Sequence, residues 1–215
     1  MKTDELIHKL SKDASVASRP PLLLWLAGTA LGGAAVMAAT VALLPISPFR
    51  ADLLQRFLQA RFLGETLLWL TTAAATFSVV YKLSIPGLWR RRDALWAVVP
   101  AGLFLLLFLS RPEPMGAGAD WAREMDWVRG FCGPVIFWVG LSQAALMAWI
   151  VRKAAPTRLA LAGFWIAFGS GAFGSFLMQF VCPKENFAHV ALWHVTPVLV
   201  LAAAGAILGR KLLRW

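Results

Sequence analysis

Six long apolar stretches divide this 215-residue chain and leave almost nothing from which a soluble domain could be built. They run Leu22–Leu44, Thr66–Ile85, Ala94–Ser110, Pro134–Val151, Leu159–Val181 and Val195–Leu208. About 20 mostly apolar residues in helical form cross the ~30 Å hydrocarbon core of a bilayer. In lipid the backbone must satisfy its own hydrogen bonds, and a helix does so within a single segment. The pattern therefore predicts an all-α integral membrane protein of about six transmembrane helices. Composition agrees, since only 15% of residues are charged against ~25% in a soluble domain. The first stretch is too long for a signal peptide, whose apolar region spans ~7–15 residues, and is expected to stay as an anchor.

The cations orient the bundle, because cytoplasmic loops collect Lys and Arg. Lys2, Lys9, Lys12 and Arg19 fall on one side with Arg90, Arg91 and Arg92. Arg152, Lys153, Arg158, Arg210, Lys211 and Arg214 join them. The other side holds only Arg50, Arg56, Arg61, Arg111, Arg123, Arg129 and Lys184, while Lys82 is expected to snorkel from the second span. This bias predicts N-in and C-in topology, with both termini cytoplasmic and Cys132 and Cys182 outside. The net charge of +10 is then expected to meet anionic lipid headgroups rather than nucleic acid.

Two domains are expected: a cytoplasmic segment over residues 1–21 and a six-helix membrane domain over 22–215. In the first, Thr3 can cap a short amphipathic helix whose first turn carries Asp4 and Glu5, where the helix dipole favours anions. Leu6, Ile7, Leu10, Ala14 and Ala17 follow at helical spacing until Ser18-Arg19-Pro20-Pro21 breaks the pattern. A helix this short is marginal alone in water. Its apolar stripe lies on the bilayer or in a partner's groove, or the segment is a solvated lead-in. A second amphipathic stretch, Phe49 to Leu63, is expected to lie in the interface plane. The loop before Cys132 is expected to end in a short helix, and the last outer loop to run from Cys182 to His194. Gly163, Ala167, Gly171 and Ser175 form a small-residue ridge that admits a neighbouring helix, a theme repeated by Gly28 with Gly32 and Gly205 with Gly209.

Chemistry concentrates at the two cysteines. Each lies where an apolar stretch meets water, in Cys132-Gly133-Pro134 and Cys182-Pro183, and His189 and His194 follow the second. The fourth and fifth spans are joined by a short turn, so their outer ends bring the sulfurs together if the Cα atoms approach within ~7 Å. Three readings stay open: a permanent disulfide with hydrogen-bonded histidines, a redox or thiol switch, and a metal site of two Cys and two His. The spacing matches no standard zinc finger. Haem ligation is disfavoured because His189 and His194 share one segment and His8 lies on the other side. No Walker loop, HExxH, nucleophile elbow or Rossmann glycine fingerprint occurs, and no required cofactor or enzymatic activity is expected.

Met1-Lys2-Thr3-Asp4-Glu5-Leu6-Ile7 and Cys182-Pro183 … His189 … Trp193-His194 resemble the NrsF family of inner-membrane anti-sigma factors. The resemblance covers essentially the whole chain. It implies a bacterial inner-membrane protein that sequesters an extracytoplasmic-function sigma factor and does not itself bind nucleic acid. Thr3, Asp4, Glu5, Leu6, Ile7 and Leu10 would dock the sigma factor. Cys132 and Cys182 would be the sensor thiols for heavy-metal or oxidative stress, with His189 and His194 as further ligands if a thiophilic or transition metal ion is the signal. The rival readings are a membrane thiol-disulfide/quinone oxidoreductase and a metal-binding membrane protein.

Overall fold

The computed structural model describes residues 3–5, 7, 8, 22–43, 49–111, 131–154 and 156–214. Their regular structure is all helical. The elements are α1 (Leu22–Leu43), α2 (Leu53–Phe57), α3 (Ala60–Leu83), α4 (Leu95–Leu109), α5 (Cys132–Arg152) and α6 (Leu159–Met178). The last is α7 (Phe187–Leu212). A 3₁₀ turn, Arg91–Ala94, leads into α4, and a π-helical turn, Ala191–Val195, interrupts α7. All but α2 are, with that lead-in, long and apolar enough to cross a membrane.

The six expected spans are present, with shifted ends. Helix α3 begins at Ala60 rather than Thr66, so Phe49–Leu63 is not one interfacial helix. Gln59 adopts an extended backbone and separates the single turn of α2 from the span. Polar side chains enter the span because they find partners: Arg61 donates to the Leu107 carbonyl at 2.9 Å, and Glu65 pairs with Arg111. Helix α7 begins at Phe187 rather than Val195, which corrects the expected last loop. The start is set by a cap, with Asn186 Oδ1 accepting from the His189 N–H at 2.7 Å, and hydropathy is blind to caps. The loop that was expected to end in a short helix before Cys132 lies, from residue 112 to 130, outside the described residues.

Helix α6 is the axis of the bundle, and its small residues explain why. A Cβ at Gly163 would strike the Gly205 carbonyl oxygen of α7 and lie 2.7 Å from Gly209 Cα. One at Gly171 would come 3.1 Å from Val198 Cα, also in α7. Gly169 meets Thr76 of α3, and Gly174 meets the Ile136 carbonyl of α5. Gly33 of α1 lies against Phe173. Lipid supplies no hydrophobic drive between helices, so backbone proximity and van der Waals contact hold such a bundle. The expectation for Gly28 differs from the structure: nothing lies within 4 Å of its Cβ position. Helix α1 is peripheral, held partly by the buried Gln143 Nε2, which donates to the Thr29 carbonyl at 2.6 Å.

The ends of the bundle are chemically distinct. At one, Lys82 pairs with Asp93 at 2.7 Å, and the same carboxylate accepts from the Arg90 N–H at 2.7 Å. Lys82 therefore ties α3 to α4 rather than simply reaching for water. Leu22 lies beside this pair. The cysteines occupy the opposite end.

Candidate thiol and imidazole centre

Local sequence explains how each side chain reaches the centre. Cys132 opens α5, and Pro134 two residues later costs no hydrogen bond because first-turn N–H groups have no helical acceptor. Gly133 provides room: a Cβ there would lie 2.5 Å from Trp193 Cε3, so the indole packs directly on the backbone. Helix α6 unwinds through Cys182, whose N–H still bonds the Met178 carbonyl at 2.8 Å. Pro183 then stops the helix. Asn186 restarts the chain as α7, placing His189 in its first turn.

The π turn brings the second histidine around. In a regular α-helix, residues five apart point about 140° from one another. The wider turn at Ala191–Val195 reduces that divergence, and the ring centroids of His189 and His194 stand 5.6 Å apart. Thr196 Oγ1 donates to the Ala191 carbonyl at 2.9 Å, five residues back. Ser175 of the α6 ridge donates to the His194 carbonyl at 3.1 Å. Such turns recur at functional sites.

All four side chains are buried. Both cysteines are free thiols, with Sγ atoms 2.9 Å apart, well beyond the ~2.05 Å of a disulfide bond. Cys182 Sγ is 3.3 Å from His189 Nε2. The buried His194 ring makes no well-aligned hydrogen bond through either nitrogen, but it stands close enough to Cys182 to help hold that thiol down. One ligand atom from each of Cys132, Cys182, His189 and His194 can be chosen so that all four lie within 4.8 Å of one another. A tetrahedral ion with bonds of about 2.0–2.3 Å separates its ligands by about 3.3–3.8 Å, so the cluster is within roughly 1 Å of a closed S₂N₂ set. Cys182 lies beyond the end of α6. Its thiol is held below the ordinary cysteine range, chiefly by the hydrogen bond from Cys132 and then, against the cost of burial, by the His189 ring. A lowered pKa favours the thiolate, which is the form that is oxidised and that ligates a metal.

Of the residues expected to dock a partner, Thr3, Asp4, Glu5 and Ile7 are helical and exposed. Leu6 and Leu10 lie outside the described residues. Two ion pairs at this end of the bundle were not anticipated from sequence. Glu65 and Arg111 form a buried ion pair joining α3 to the end of α4. Arg50, its side chain fully buried, pairs with Glu185 at 2.7 Å. The available signal was an acid three residues after Cys182, together with bases flanking apolar stretches, but nothing in spacing assigns their partners.

The profile of the family described as "NrsF: Negative regulator of sigma F" matches residues 10–215. The chain is 33% identical over 220 residues to the anti-sigma-F factor NrsF of Caulobacter vibrioides (strain NA1000 / CB15N), covering 100% of each chain. It is 27% identical over 227 residues to a protein of Azospira oryzae (strain ATCC BAA-33 / DSM 13638 / PS) named "Probable anti-sigma-F factor NrsF", again covering 100% of each. No solved structure matches.

Proposed function

The chain belongs to the NrsF family of negative regulators of sigma F, and from that premise we propose that it is a membrane-bound anti-sigma factor switched by its thiols. It is regulatory rather than enzymatic. Residues 1–21 hold an extracytoplasmic-function sigma factor on the cytoplasmic side of a bacterial inner membrane. Cys132 and Cys182, on the periplasmic side, receive heavy-metal or oxidative stress and cause release. The observation that carries this reading is the meeting of two free buried thiols and two histidines at one end of the bundle. The exposed Thr3, Asp4, Glu5 and Ile7 support a docking role for the tail, with the cationic face of the bundle held against anionic lipid.

The oxidative step balances with a peroxide. The Cys182 thiolate attacks one peroxide oxygen, giving a sulfenic acid and, after protonation, one water. The Cys132 thiol then attacks that sulfur, and the hydroxyl leaves as a second water. Two thiols and one peroxide become one disulfide and two waters. For a soft metal ion, the same sulfurs and the two imidazoles supply the ligands, and the thiols release their protons. The convergence of both imidazoles on the two sulfurs favours the metal as one of the signals.

Transmission follows the packing. Cys182 follows the end of α6 by four residues, and α6 contacts α7 along the ridge down to Gly163 and Gly209. Closing the 50-residue separation between the cysteines is worth about 4 kcal/mol at most. Moving a binding equilibrium from 1:99 to 99:1 takes about 5.5 kcal/mol. One crosslink thus shifts the complex strongly, short of complete release.

The test is a detergent pull-down from native membranes, comparing the full chain with one lacking residues 1–18. A sigma factor recovered only with the intact tail supports the reading. Recovery with neither version would sink it. Cys132→Ala and Cys182→Ala should each leave the sigma factor bound under cadmium or peroxide, and normal release from both would exclude the thiols as the input.

A further inference from the structure

Cys182 lies in a loop, between the end of α6 and the Asn186 cap of α7, and a loop does not hold a thiol in place unaided. One residue from a distant part of the chain grips this loop on both sides of the cysteine. The Arg50 N–H donates to the Phe180 carbonyl at 2.9 Å. Its guanidinium reaches the Pro183 carbonyl at 3.4 Å and Glu185 Oε1 at 2.7 Å. Its Nε and Nη2 donate to Asp52 at 2.7 and 3.0 Å, the Nη2 group being shared with the Pro183 carbonyl. Arg56 closes the ring, bonding Asp52 at 2.8 Å and Glu185 at 2.9 Å. Two cations and two anions balance, which is what lets a fully buried guanidinium persist. Arg50 also lies over the Phe62 ring at 5.3 Å, anchoring the clamp to the first turn of α3.

We propose that Arg50 is a positioning residue, whose ring with Asp52, Arg56 and Glu185 holds the Cys182 loop closed over the thiol and keeps Cys182 beside Cys132 and His189. The inference rests on the sensor reading of Cys182. Only a planar, forked cation can bond a carboxylate on one edge, a second carboxylate on another and a carbonyl besides. The clamp therefore sets both access to Cys182 and its encounter with Cys132.

The test uses the full chain in detergent, a small maleimide, and mass spectrometry that follows each cysteine separately. Arg50→Ala should raise Cys182 alkylation by about tenfold or more, as expected for a locally opened segment, while Cys132, on its helix, changes little. It should also slow diamide-driven formation of the Cys132–Cys182 disulfide. Arg50→Lys should restore part of the protection, and Glu185→Gln should move the same ratio in the same direction with less disturbance to the fold. Unchanged alkylation of Cys182 in both Arg50→Ala and Glu185→Gln overturns the clamp. So does an equal rise at both cysteines with a lower melting temperature, which is general loosening. A parent protein that keeps its sigma factor under cadmium and peroxide would remove the sensor reading while leaving the alkylation result to judge Arg50.

Discussion

Ser175 of α6 donates a hydrogen bond to the backbone carbonyl of His194, 3.1 Å away in α7. That bond joins the small-residue ridge of one span to the π turn of the next. It places the imidazole pair and the closest helix contact of the bundle on the same two elements. The histidines and the packing at Gly163 and Gly205 thus share the same pair of helices.

His189→Ala and His194→Ala test the imidazoles as ligands. Loss of an outer-shell partner alone typically weakens metal binding 10–100-fold, so removal of a ligand should cost about a hundredfold or more in cadmium or zinc affinity. Competition against a chromophoric chelator measures it. Parental affinity in both variants would leave the cysteines without histidine help.

The pH profile of thiol reactivity follows from the lowered pKa of Cys182. A depressed folded value means the thiolate persists as pH falls below the ordinary ~8.5 and is lost only on passing through the folded pKa. Between pH 6 and 8.5 an ordinary thiol should gain more than about a hundredfold in alkylation rate, and Cys182 should gain less than that. Cys132→Ala removes the main stabilising hydrogen bond, so it should push the pKa back up and restore a steep rise. Iodoacetamide labelling across this range reads both.

Gly163→Ala drives a methyl into the Gly205 carbonyl. Overpacking of this kind costs about 1–3 kcal/mol and should lower the melting temperature in detergent. Gly28→Ala, with open space at its Cβ position, is the matched control and should leave melting unchanged or slightly raised. Equal effects at the two positions would contradict the packing of α6 on α7.

The buried Glu65–Arg111 pair makes an asymmetric prediction. Glu65→Leu alone strands the Arg111 charge and should destabilise by about 3–5 kcal/mol, whereas Glu65→Leu with Arg111→Met should recover most of that loss. Chemical denaturation of the two variants in detergent separates these outcomes.

Hydropathy alone was enough for the helical class and the count of spans, because a bilayer accepts few backbone solutions and demands a fixed length of apolar chain. The ridge at Gly163, Ala167, Gly171 and Ser175 was legible for a related reason: spacing of four is a face of a helix whatever it meets. That Cys132 and Cys182 are neighbours was readable as a condition, since adjacent antiparallel spans bring their ends together. Where hydropathy failed, another force was in control. Helix α7 starts eight residues early because Asn186 caps it, and α3 starts early because Arg61 and Glu65 find partners across the bundle. Glu185, which pairs with Arg50, and Arg111, which pairs with Glu65, lie 135 and 46 positions from them, and no local pattern encodes these pairings.

The sequence by itself determined the solvent this chain folds in, the helices that solvent requires and the four side chains with chemistry to offer. Tertiary structure alone decided that those four converge. A cap, a one-turn change of helical register and a buried arginine from the far side of the chain set the approach of His194 and Cys182. The arginine depends on groups distant in the chain, and the cap and the turn on local backbone hydrogen bonding; periodicity along one helix reports neither.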